Sequence, residues 1–201
     1  MFKNAYQAQP EKFVKPQYSG TFDLYGMELP FLEEVYVPNQ NAAKLYKTIL
    51  TYQAKNDKTA RIIFPDNLTV GDEGEFVCNI FCDPMEEMPF ERIAASGIQE
   101  IAKLNFKSKL GRPSEGAWND GGIKASLELD GGGCGISSSS GTISMHPMWR
   151  KVDSNGKVME LFEGMFTFKI KYSSLYSRKG HGSGQSLSLD FWAVRGSKKK
   201  D

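Results

Sequence analysis

The chain is short of the residues that build metal and disulfide sites. Its three cysteines, Cys78, Cys82 and Cys134, form no CxxC pair, and an odd count without that spacing argues against both a disulfide framework and a zinc cluster. A reducing compartment follows, with Cys78 and Cys82 reading as small buried thiols on one side of a strand. The two histidines, His146 and His181, stand outside any HxxxH or HxE context. No serine occupies a nucleophile elbow. The glycine-rich stretch from Asp130 to Gly135 lacks the Lys-Ser/Thr of a phosphate loop, and the acidic clusters at 71–75 and 83–87 lack the spacing of a calcium loop. Catalysis, a metal and a cofactor are therefore not expected. No apolar run approaches a membrane span, and Met1-Phe2-Lys3-Asn4 lacks the hydrophobic core of a signal peptide. The expectation is a soluble protein that is not exported and meets no membrane.

What is present is an asymmetry that the formal net charge of +1 conceals. Residues 1–100 carry 9 Lys+Arg against 15 Asp+Glu, and residues 101–201 carry 16 against 9, so the halves stand at −6 and +7. Such a division suits a second half that meets a polyanion and a first half that acts as scaffold or makes other contacts. With 40% hydrophobic and 12% aromatic residues in 201, the chain has ample material for a buried core.

Residues 1–20 are polar, with Pro10 and Pro16, and read as an extended arm. Phe22 and Leu24, then Val35 and Val37, suggest two short strands around Pro30. Asn41 can cap a helix, because Ala42, Leu45, Tyr46, Ile49 and Leu50 recur on one face as far as Asn56. Short strands follow at 61–64 and 76–81. A second helix is predicted after Pro89: Phe90, Ile93, Ala94, Gly97, Ile98, Ile101 and Leu104 fall on one stripe, with Lys107 and Lys109 near its end and Arg112 just beyond. From there glycine, serine and β-formers dominate. Strands are predicted at 123–129, 143–152, 165–172 and 186–194, with 130–140 a flexible hairpin tip.

In the segment 165–172 a period of two puts Phe166, Phe168, Ile170 and Tyr172 toward a core and Thr167, Lys169 and Lys171 on the other side. Two neighbouring cations repel each other, and a bound phosphate backbone relieves that repulsion. Beyond them Tyr172, Tyr176, Arg178, Lys179 and His181 crowd a glycine-bearing loop, the mixture of rings and cations that suits base stacking. Trp149, flanked by Arg150 and Lys151, repeats that mixture. Trp192, facing opposite to Leu187, Leu189 and Phe191, and Trp118, in a polar turn, are expected to be exposed.

Short strands, hairpins and a helix across one end predict a mainly β, α+β fold with two helices: a five-stranded OB-like barrel with an N-terminal elaboration. A single domain over 21–201 is expected, with 21–75 an insertion. The predicted activity is sequence-tolerant binding of single-stranded nucleic acid. The alternatives are a viral structural or assembly protein on a β-sandwich, and a carbohydrate-binding β-domain using exposed tryptophans.

The run Val152-Asp153-Ser154-Asn155-Gly156-Lys157-Val158-Met159-Glu160, then Gly164, then Lys169 to Tyr176, then Gly184-Gln185-Ser186-Leu187-Ser188-Leu189, resembles in order and spacing the closing strands of phage single-stranded-DNA-binding proteins of the T-seven type. Ala5-Tyr6, Lys15-Pro16-Gln17-Tyr18 and the segment 76–104 are also similar, while 20–75 has no clear counterpart. The resemblance implies an OB-fold replication protein that coats single-stranded DNA in replication, recombination and repair, in the cytoplasm of a bacterial host. It places DNA contact at Lys169, Lys171, Tyr172 and Tyr176. It also implies polymerase and helicase-primase partners and a homodimer. One departure is visible: that family ends in a long acidic tail that contacts those partners, whereas these residues close on Lys198-Lys199-Lys200-Asp201. Either the tail is absent or its interaction role lies elsewhere, in the acidic first half.

Overall fold

Long runs in which every second side chain is apolar favour strands that bury one face, and such runs recur through the second half of the chain. The computed structural model describes residues 15–68, 71–90, 92–106, 108–111, 113, 121–131 and 133–196. In chain order the elements are β1 (Gly20–Gly26), α1 (Pro30–Tyr36), α2 (Ala42–Ala54), β2 (Ala60–Phe64), β3 (Gly74–Cys78), β4 (Cys82–Asp83), β5 (Met88–Pro89), β6 (Ile93–Ile101), β7 (Gly122–Leu129), β8 (Ile136–Val152), β9 (Val158–Tyr172), α3 (Ser174–Arg178) and β10 (Gly184–Arg195).

Eight strands close into an antiparallel barrel in the order β1-β10-β9-β8-β7-β6-β3-β2, and β4-β5 is a separate two-stranded hairpin. The interior is filled by side chains. Phe22 meets Phe162 edge-on at 5.0 Å, Phe76 meets Phe166 at 5.1 Å, and Phe81 meets Phe168 at 5.1 Å. Gly164 permits the tight approach of β8 to β9, because a Cβ there would lie 2.1 Å from the Ser144 carbonyl oxygen.

A second apolar layer lies outside the barrel. Tyr25, Trp192, Val194, Leu161 and Trp149, from β1, β10, β9 and β8, are buried together with Leu32 and Tyr36 of α1 and Leu45, Tyr46 and Ile49 of α2. Trp192 packs on Tyr36 at 5.3 Å and Trp149 on Tyr46 at 5.8 Å. The Asn41 side chain accepts from Lys44 N at 2.9 Å and caps α2, as the sequence predicts.

The architecture departs from expectation in four places. The barrel has eight strands, not five, and it closes, so the sandwich of the viral structural alternative does not form. There are three helices among the described residues rather than two, and the predicted second helix is the strand β6. Its apolar residues do fall at helical spacing, but Ile93 and Ala95 are buried by pairing with β3 and β7, and Gly97 at φ 58° takes up the register shift between Ser96 and Gln99. Tertiary pairing overrides local propensity there. Val35 and Val37 form no strand: Pro30 starts a helix from within its first turn, and Val35 lies in α1. Ser137 to Ser140 are in β8 rather than in a hairpin tip. Residues 21–75 supply β1, β2 and the start of β3, all staves of the barrel.

Candidate nucleic-acid interface

Where α1 and α2 do not reach, the outward side of β7, β8, β9 and β10 is open to solvent and carries hydroxyls and lysines. The register sets Lys169 beside Ser186 on β10 and Ser140 on β8, and Thr167 beside Ser188 and Thr142. Lys171 lies beside Gly184 and Ser138, while Lys124 and Ser126 on β7 sit beside Ser144 and Thr142. Lys124, Ser126, Ser138, Ser140, Thr142, Lys169, Lys171, Ser186 and Ser188 are exposed. The Thr142 and Thr167 hydroxyls pair at 3.2 Å. Short hydroxylated side chains keep this surface low, so the lysine ammoniums stand above it. Glu128, at the end of β7, is an exposed acid on the same side.

Cations continue past both ends of the face. Beyond Lys171 the Ser173 side chain accepts from Leu175 N at 3.3 Å and caps α3, and the exposed Arg178 and Lys179 follow. At the other end Lys109 lines a cavity of about 590 Å³ with Met165, Ser188 and Asp190. Burial raises the Asp190 carboxyl pKa; the Lys109 charge pulls it back, and Glu28 and Glu163 push it further up.

The rings predicted as stacking platforms are not on this surface. Tyr172 and Tyr176 are 8% and 9% exposed and belong to the barrel core. They meet edge-on at 5.5 Å, and the Tyr176 hydroxyl donates to Asp83 at 3.1 Å. Trp149 is 4% exposed beneath α2, and Trp192, expected outside, is fully buried beneath α1. Tyr172 follows the alternation that already sets it on the core side of β9, whereas Tyr176, Trp149 and Trp192 are buried by neighbours that alternation within one strand does not reveal. Arg150 is half-buried with Nε 3.9 Å from Glu160. Lys151 is exposed but far away: it pairs with Met159, ten residues along β9 from Lys169, which is roughly 30 Å at strand rise. Lys107, Arg112 and Trp118 lie outside the described residues.

The structure thus sets Lys169 and Lys171 on one face with Lys109 beside Ser188 at its border, carries Arg178 and Lys179 away on α3, where the Lys179 ammonium lies 3.7 Å from Met85 Sδ, and separates Trp149, Arg150 and Lys151 from the face. Lys124 and the hydroxyls of β7 and β8 were missed, although the alternation of Ile123, Ala125 and Leu127 with Lys124 and Ser126 carries the signal. Also missed is a buried pair, His146 Nε2 and Glu163 Oε1 at 2.7 Å, with the two side chains 2% and 0% exposed. Among the described residues no three His, Cys, Asp or Glu side chains gather to hold a metal ion. No helix among them is long and apolar enough to cross a membrane. No protein-family model, curated protein or solved structure matches this chain.

Proposed function

We propose that the protein binds single-stranded DNA along the outward face of β7–β10, gripping the phosphate backbone in a sequence-tolerant way. The observation that carries this reading is the pair of exposed lysines Lys169 and Lys171 set among serine and threonine hydroxyls, with the exposed Lys109 beside Ser188 at the border of the same face. Lysine and hydroxyl groups are the usual partners of phosphate oxygens and carry no base information by themselves. A low cationic face on a curved wall suits one flexible strand. The likeness of the closing strands to the phage proteins points the same way, and with it to a role in phage DNA replication, recombination and repair, beside polymerase and helicase-primase and as a homodimer. Burial of Trp192 removes one of the exposed tryptophans on which the carbohydrate reading draws.

A gel shift with single- and double-stranded DNA and RNA tests the proposal. Single-stranded DNA should shift at lower protein concentration than duplex. Lys169→Glu with Lys171→Glu should weaken that binding by at least about tenfold, because two attractions become repulsions. Both side chains are exposed, so the circular dichroism spectrum should not change. Binding equal to that of the parent protein would sink the assignment.

A further inference from the structure

We propose that the cleft between α1, α2 and the mouth of the barrel is a base pocket that takes one unpaired nucleobase of the bound strand; this rests on the single-strand reading above. The cleft holds about 480 Å³ and is lined by Phe31, Tyr52, Tyr25, Asp57, Thr59 and Asn79 among others. That volume and a lining of rings with a few polar groups are those of a site for a small flat ligand.

Phe31 and Tyr52 are stacked, with centroids 4.3 Å apart and planes at 26°, yet both remain partly open to solvent. A flat ring entering beside such a pair extends the stack, and every base has a face to offer. Tyr25 supplies an independent indication. It is 1% exposed, it lines the cleft, and its phenol oxygen has no hydrogen-bond partner among the described residues. A buried hydroxyl left unpaired is costly, and the edge of a base carries the nitrogen or oxygen that would pair it. Further polar groups stand nearby. Thr59 Oγ1 accepts from Gly26 N at 3.0 Å, which leaves its own O–H to donate, and the Asn79 amide nitrogen donates to the Lys58 carbonyl at 3.5 Å, which leaves its carbonyl to accept. The Lys55 ammonium lies 5.8 Å from the Tyr52 centroid, a cation for the phosphate flanking that base.

The cleft also neighbours the lysine face. Glu28 lines both it and the cavity that holds Lys109, Ser188 and Asp190. A strand lying along β9 and β10 would enter the cleft at Glu28, the residue that the two cavities share. The two sites divide the work: cations hold the backbone, and the cleft holds a base, in place of the buried Tyr172 and Tyr176.

The test uses a single-stranded oligonucleotide carrying one 5-iodouracil, irradiated in complex with the full chain, with crosslinked peptides mapped by mass spectrometry. Crosslinks are expected at Phe31, Tyr52 or Tyr25. In parallel, Phe31→Ala should halve, at least, the quenching of a 2-aminopurine oligonucleotide and weaken binding about threefold to tenfold. The salt dependence should stay as in the parent protein, since no cation is removed. Crosslinks confined to β7–β10, or quenching unchanged in Phe31→Ala, would overturn the pocket and leave the single-strand reading standing. Absence of any complex would overturn both. The crosslink map of the parent protein decides the matter even where Phe31→Ala fails to fold.

Discussion

Asp190 places a half-buried carboxyl at the border of a surface that otherwise offers ammoniums and hydroxyls. Burial holds its folded-state pKa above that of the unfolded chain. Below the unfolded value, about 3.9, the group is protonated in both states and costs nothing. As pH rises from there through the raised folded value, the native state must carry a poorly solvated charge and loses stability, and that loss is complete once the pH stands above the folded value. Asp190→Asn should therefore raise the melting temperature at pH 7, with the gain vanishing as pH falls below 4. It should also tighten oligonucleotide binding, since it removes the anion beside Lys109. A melting temperature unchanged or lowered at pH 7 would show that the carboxylate is better solvated than its surroundings suggest. At this scale, Lys169 and Lys171 were legible in the sequence because a period of two fixes the side on which each residue stands. Trp149 and Trp192 were not, because their burial depends on helices distant in the chain.

The short helix α3 shows how an element can look like a binding loop and act as a latch. Its residue Tyr176 reaches Asp83 of β4, and the Gln185 amide donates to the Cys82 carbonyl at 2.6 Å, so the β4-β5 hairpin is tied down over the barrel mouth. Removing the Tyr176 hydroxyl leaves the ring packed and deletes one hydrogen bond to a carboxylate. Tyr176→Phe should cost about 1–2 kcal/mol in urea unfolding and leave oligonucleotide affinity unaltered. A marked loss of affinity with little loss of stability would return Tyr176 to the binding surface. Elements with clean alternation, such as β7 and the core of β9, were legible, and so was α2, whose cap and apolar face agree. The strand β6 was not: Ile93, Ile98 and Ile101 are apolar at helical spacing, and only pairing with β3 and β7 selects the extended form.

At the scale of the molecule, closure decides what the charge asymmetry can do. The basic second half supplies β7 to β10, which stand side by side, while the acidic first half supplies α1 and α2, which pack on the outer side of β1 and of the adjoining parts of β8, β9 and β10. The barrel thereby turns a bias along the chain into a bias between surfaces, although the count of strands and their closure through β1 and β2 had no local signature. Its length also separates cations that looked equivalent in the sequence. Lys151 is carried to the far hairpin, whereas Lys169 and Lys171 share the hydroxyl face, with Lys109 at its border beside Ser188. On single strands each neutralised phosphate contributes about −0.7 to the slope of log affinity against log salt, so five contacts give a slope of roughly −3.5. Neutralising Lys169 and Lys171 to Gln should reduce that slope by about 1.4, while Lys151→Gln should leave it as it was. A Lys151→Gln slope reduced as much as that of Lys169→Gln would mean that the strand follows the long hairpin instead of the hydroxyl face.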